Sequence, residues 1–160
     1  MKMSRTSAGI LMYRKRNGQL EFFLVHPGGP FWKDKDDGAW GIPKGEIDDP
    51  DEGLFDVAKR EIMEETGIKP PEAEGGYFHL GDVTLKSGKV VHAWAFEGDW
   101  LGLLMCSSYV DIEWPPKSGK TIKIPEVDKA GFFGLEKARK KINPGQFKLI
   151  ERLVEKLEEK

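Results

Sequence analysis

The run Arg60-Glu61-Ile62-Met63-Glu64-Glu65-Thr66-Gly67-Ile68 places three glutamates close together beside an arginine. On a helix, at ~100° per residue, Glu61, Glu64 and Glu65 fall within about 100° of one another. Leu54, Phe55, Ala58 and Ile62 fill the adjoining arc, which must face a core, so the carboxylates lie at the edge of the buried face. Like charges at i, i+3 and i, i+4 destabilise a helix by a few tenths of a kcal/mol each. Stability therefore does not account for the grouping. A divalent cation would relieve the repulsion, and Mg²⁺ suits it: the ion takes oxygen ligands and commonly leaves positions for substrate phosphates. The plainer alternative is a solvated Glu64–Glu65 pair, with Glu61 tied up by Arg60 or a lysine.

These side chains have to be held by the elements around them. A helix is predicted to open at Pro50 or Asp51 and run to Thr66, with Gly67 as its stop. Strand-like runs cover 7–14 and 20–26, separated by Asn17-Gly18, a strong hairpin signal. Residues 27–41 read as a long loop rich in Gly, Pro, Lys and Asp, with Phe31, Trp32 and Trp40 embedded in it. A loop of this length carrying aromatics suggests a binding element, although the rings could equally anchor it to the core. Two further strands are expected at 77–86 and 89–97, joined by Ser87-Gly88, and residues 98–120 read as irregular. A strand near 127–133 and a short helix around 135–141 follow. Asn143-Pro144 caps a last helix over about 144–158, where Phe147, Ile150, Leu153, Val154 and Leu157 recur at helical spacing and form a packing face. With no internal repeat and no linker, the reading is one α/β domain over 1–160.

Composition narrows the functional classes. The 160 residues are 39% hydrophobic and 32% charged, as in a soluble globular chain. A net charge of only −2 argues against binding a nucleic-acid polymer through bulk positive charge. One cysteine, Cys106, permits neither a disulfide framework nor a cysteine zinc site, and a reducing cytoplasm fits. The apolar run after Met1 is short and is followed by Arg14-Lys15-Arg16, so it reads as a first strand rather than a secretory leader. No stretch approaches the ~18 apolar residues of a membrane span.

Several tempting motifs fail. Ser118-Gly119-Lys120-Thr121 would need a glycine where Trp114 stands to form a P-loop. The acidic run Asp34, Asp36, Asp37, Gly38 would put Lys33 at the first ligand position of a calcium loop. Neither a His-Glu-x-x-His zinc motif nor a Gly-x-Ser-x-Gly nucleophile elbow is present.

With Gly45 and Glu52, the acidic segment resembles the Nudix hydrolase signature: glycine, five residues, glutamate, seven residues, then Arg-Glu-apolar-any-Glu-Glu-any-Gly-apolar. Glu52 through Ile68 match it in full, and six residues rather than five separate Gly45 from Glu52, a one-residue insertion before the helix. The likeness extends over perhaps 5–140. Trp40-Gly41-Ile42-Pro43-Lys44-Gly45 is similar to the strand that leads into the signature in family members acting on dinucleoside polyphosphates. The resemblance implies an α/β/α sandwich with a mixed β-sheet between helices. It further implies that Glu61, Glu64 and Glu65 hold Mg²⁺, with Mn²⁺ able to substitute, aided by the Gly45 carbonyl, and that Glu52 pairs with Arg60 to fix the helix. A glutamate placed like Glu126 joins the metals or acts as base in several members. Lys44 is a candidate phosphate contact, and Trp40, Trp32 or Phe31 candidates to stack on a base. His26 and His92 read as satisfied structural groups.

The implied reaction is Mg²⁺-dependent hydrolysis of a phosphoanhydride in a nucleoside polyphosphate, dinucleoside polyphosphates first, with a glutamate taking a proton from water. House-cleaning of damaged nucleoside triphosphates is the competing enzymatic reading, with ADP-ribose or inositol pyrophosphates less favoured. A non-catalytic nucleotide-binding domain is the alternative from another class. The expected partner is a small nucleotide, with no nucleic-acid polymer and no membrane, in a cytoplasmic protein of open oligomeric state.

Overall fold

A computed structural model describes residues 5–49 and 51–159. Strands β1 (Thr6–Arg16) and β2 (Gln19–Pro27) form the hairpin expected around Asn17-Gly18, in the register Tyr13↔Phe22. The short β3 (Lys44–Glu46) pairs antiparallel with β1, setting Ala8 opposite Gly45. Helix α1 (Leu54–Thr66) follows, then β4 (Tyr77–Thr84) and β5 (Val90–Glu97). Strands β6 (Tyr109–Glu113) and β7 (Thr121–Pro125) make a separate two-stranded sheet. Strand β8 (Val127–Gly134) and helices α2 (Leu135–Lys141) and α3 (Phe147–Glu158) complete the chain.

The main sheet runs in the order β4-β5-β1-β2-β8, with β3 attached to β1. It is mixed: β1 pairs parallel to β5, and β2–β8 and β4–β5 are antiparallel. Alternation along the central strands sends side chains to both faces, and both are covered. Ala8, Ile10, Met12, Phe23 and Val25 pack with Val57, Ala58 and Ile62 of α1. On the opposite face Leu11, Tyr13, Phe22 and Leu24 pack with Ala138 of α2 and Leu149, Ile150 and Leu153 of α3. This is the expected α/β/α sandwich.

Two boundaries and one region differ from expectation. Helix α1 begins at Leu54 with Gly53 as its N-cap, and Asp51 and Glu52 stay in the loop; Pro50 lies outside the described residues. Residues 144–146 form a 3-10 turn capped by Asn143, whose side chain accepts from the Gly145 N–H at 2.8 Å, so α3 starts only at Phe147. The stretch 98–120, read as irregular, contains β6. Among the described residues no helix is long and apolar enough to cross a membrane.

Candidate active site

The site forms where β3 meets α1. Gly67 ends the helix in the left-handed conformation (φ 84°), as the sequence predicts, and its N–H bonds back to the Met63 carbonyl at 2.8 Å. Gly45 stands against the other end of the glutamate cluster. A Cβ there would fall inside the Glu61 carboxyl group, so only glycine lets β3 pass this close to the side chain.

Glu61 and Glu65 are buried, with 8% and 4% of their surface exposed, whereas the Glu64 side chain retains 40%. Burial, then the negative charges of Glu64 and Glu126, push the Glu61 carboxyl up to about 7 against partial relief from Arg60. Burial and the charges of Glu61 and Glu126 hold Glu65 well above the usual carboxylate range, opposed by Lys44. Lys44 is itself lowered, by burial and then by Lys89. Its backbone N–H donates to Glu65 Oε1 at 3.3 Å.

Arg60 organises the exposed side of the helix. Its Nη1 pairs tightly with Glu52, Nη2 lies 3.5 Å from Glu61 and Nε 3.6 Å from Glu64. The pairing of Glu52 with Arg60 thus spans the junction between loop and helix. With Glu52 outside the helix, the one-residue insertion is absorbed in the loop. Glu126, between β7 and β8, is held by Ser108, whose Oγ donates to its Oε1 at 2.6 Å and whose carbonyl accepts from its N–H at 2.9 Å.

Among the described residues, no three His, Cys, Asp or Glu side chains are gathered into a complete cation site. Glu64 lies 3.6 Å from Arg60, and Glu126 is engaged by Ser108. What the fold does provide is two adjacent buried carboxylates with little positive charge to balance them. Their all-oxygen donor set fits a Mg²⁺ ion that draws its remaining ligands from phosphate and water.

Beside the glutamates lies a cavity of about 260 Å³, whose lining includes Trp32, Lys44, Glu65, Glu126, Asn143 and Gln146. Lys44 therefore reaches the same space as two of the acids. Trp40 also lines it, as a packed wall. Trp40 is 7% exposed, donates from Nε1 to Asp36 at 2.8 Å, and meets His26 and Phe133 edge-on. Gln146 and Ser108 escaped notice in the sequence. Gln146 is buried, with Oε1 accepting from the Ile42 N–H at 2.9 Å, and no local signal in the sequence marks it. His26 is the satisfied core group expected, with Nδ1 2.7 Å from Asp128 and Nε2 2.6 Å from the Lys35 carbonyl. His92 is half-buried, with its Nε2 2.9 Å from Nε2 of His79. In the turn of the failed P-loop, the N–H groups of Lys117 and Gly119 donate to Glu113.

The model of the NUDIX domain matches residues 3–153. The chain belongs to the Nudix family. It is a Nudix-type pyrophosphohydrolase, with every carboxylate of the signature in place. Among solved structures, this Nudix chain is similar to a Caenorhabditis elegans Ap4A hydrolase in a binary complex (23% identity, 98% of this chain and 99% of the other, TM-score 0.67). It is also similar to the NUDIX domain of Shewanella oneidensis NrtR complexed with ADP ribose (19% identity, 98% and 90% covered, TM-score 0.68). A MutT protein from Methanosarcina mazei Go1 matches as well (20% identity, 97% and 96% covered, TM-score 0.57). At these identities the likeness is one of fold. No curated protein matches the chain.

Proposed function

We propose that the whole chain acts as one Nudix unit in the cytoplasm, hydrolysing a phosphoanhydride bond in a nucleoside polyphosphate with Mg²⁺ held by Glu61, Glu64 and Glu65. The observation that carries this reading is the pair of buried, under-compensated carboxylates, Glu61 and Glu65, the second of which opens with Lys44 and Glu126 onto one cavity. A polyphosphate entering so acidic a site needs a cation between itself and the carboxylates. Bound there, Mg²⁺ would offset charge on the phosphates and on the leaving group and make water a better nucleophile.

The chain's own groups supply positioning. Lys44 offers a partly buried positive charge to a phosphate oxygen. Gly45 brings its strand against Glu61, and its carbonyl is the main-chain oxygen in the proposed ligand set. Arg60 and Glu52 fix the helix at its loop junction. Glu126, whose carboxylate is steadied by Ser108, would take the proton from the attacking water.

Product analysis in ¹⁸O-labelled water tests the reading, over a panel of dinucleoside polyphosphates, nucleoside triphosphates, ADP-ribose and inositol pyrophosphates with Mg²⁺ or Mn²⁺. Cleavage of a phosphate–phosphate bond with one labelled oxygen in a phosphate product is expected, dinucleoside polyphosphates fastest. Tight nucleotide binding without any product would overturn it.

A further inference from the structure

The β6–β7 hairpin has two chemically distinct faces. Cross-strand partners share a face, so Val110 and Ile124, with Ile112 and Ile122, form one side, and Asp111 and Lys123 form the other, paired at 3.5 Å. An apolar hairpin face normally packs on a core. Here none of the four aliphatic residues joins either core of the molecule, and Val110 and Ile122 are exposed.

This face looks instead onto the loop after β2. Between them lies a second cavity of about 290 Å³, whose lining includes Phe31, Trp32, Val110, Ile112, Ile124 and Glu126. That is at the lower end of the roughly 300–1,000 Å³ of ligand pockets, a space for one flat ring system. Phe31 and Trp32 meet edge-to-face at 5.0 Å, and Phe31 is 55% exposed. Lys35 Nζ lies 3.4 Å from the centre of the Phe31 ring.

The two cavities share Trp32, Pro27 and Glu126 among their linings. They adjoin at the glutamate assigned to the attacking water, and their chemistry differs. Lys44 lines the first, whereas among the described residues no lysine or arginine lines the second. A phosphate in the second cavity would lose its hydration to aliphatic and aromatic surface without a cation in return. A planar nucleobase would lie there between aromatic loop and aliphatic hairpin.

We infer that the cavity between the β6–β7 hairpin and Phe31-Trp32 is a second substrate subsite, which takes the distal base of a substrate with two nucleosides joined by a polyphosphate. The inference rests on the hydrolase reading above for the position of the phosphate chain, and it adds the residues that recognise the far end.

Equilibrium binding separates it from turnover. The probes are methylene-bridged, non-hydrolysable analogues with Mg²⁺: a dinucleoside tetraphosphate, and the mononucleoside tetraphosphate that lacks only the second nucleoside. Wild type is expected to bind the two-base analogue at least ~10-fold more tightly, and Phe31→Ala and Ile112→Ala each to lose roughly 10-fold on that analogue and less than about 3-fold on the other. Because Phe31 is half-exposed, its truncation leaves the cores untouched. Equal losses on both analogues, or no loss on either, would overturn the subsite. So would a change in oligomeric state in the variants with an unaltered affinity ratio, which would make the face a contact between copies. Failure of the natural compounds to be cut, with the affinity ratio as expected, would defeat the hydrolase reading and leave the subsite standing.

Discussion

Gly45 and Glu64 put the chemistry to test at the level of single atoms. In Gly45→Ala the new methyl group meets the Glu61 carboxyl, and neither β3, paired with β1, nor α1, packed on the core, has room to retreat. The Glu61 oxygens would shift by a fraction of an ångström or more, and displacements of that order cost about 100-fold in rate. We expect kcat to fall by about that factor with little change in melting temperature. Wild-type kcat in this variant would show that Glu61 placement is not critical. In Glu64→Gln the exposed member of the trio loses its charge while keeping its shape. Turnover at saturating Mg²⁺ should drop on the order of 10²–10³-fold, with the far-ultraviolet circular dichroism unchanged. Full activity would remove Glu64 from the metal set. Glu64 was legible in the sequence because the signature fixes residue type as well as spacing, and Gly45 by type, one residue further from Glu52 than the signature asks. The partner of Glu126 was not: Ser108 lies 18 positions away, and nothing in a linear reading couples the two.

Secondary structure was legible where one local signal dominated. Asn17-Gly18 marks the first hairpin, Gly67 stops α1, and the short helix over 135–141 falls where expected. The start of α1 was misplaced because Asp51 and Glu52 look like first-turn acids. Tertiary pairing decides instead: Glu52 must stay in the loop to reach Arg60. The β6–β7 hairpin was missed although Tyr109 to Glu113 and Thr121 to Pro125 alternate strictly, because the proline-rich connection hides the pairing and the apolar face joins no core. The loop after β2 is held by a clamp that the sequence does not reveal, in which His26 joins Asp128 of β8 to the Lys35 carbonyl. His26→Phe would keep the ring and leave that carbonyl and carboxylate without their partner, a loss of about 1–3 kcal/mol. Chemical denaturation should show a destabilisation of that size, with KM raised more than kcat is lowered because Trp32 belongs to the same loop. An unchanged KM would detach the clamp from the site.

For the whole molecule, the acids that make the site must cost stability when no cation is bound. Glu61 titrates at about 7 in the fold against an ordinary 4.5, and Glu65 is shifted in the same direction. Between those values the native state binds more protons than the unfolded chain, so stability falls as pH rises through that window, and the penalty is complete above about pH 7. For Glu61 alone the change from about pH 5.5 to about pH 8 is on the order of 2 kcal/mol. A cation taken up by the ionised carboxylates opposes the penalty, and its stabilisation of the native state grows as protons cease to compete. The metal-free protein should therefore melt higher near pH 5.5 than near pH 8, and the gain in melting temperature on adding Mg²⁺ should be larger at the higher pH. Glu61→Gln separates this contribution from every other titrating group. It replaces the carboxyl by a neutral group of the same shape, so near pH 8 and without metal it should be more stable than wild type by about 1–3 kcal/mol, while turning over poorly. The advantage should shrink as pH falls through 4.5, below which wild type becomes neutral at this position in both states. If wild type and Glu61→Gln instead give parallel stability profiles across that range, the buried charge is not what the fold sacrifices, and the link between stability and metal site fails.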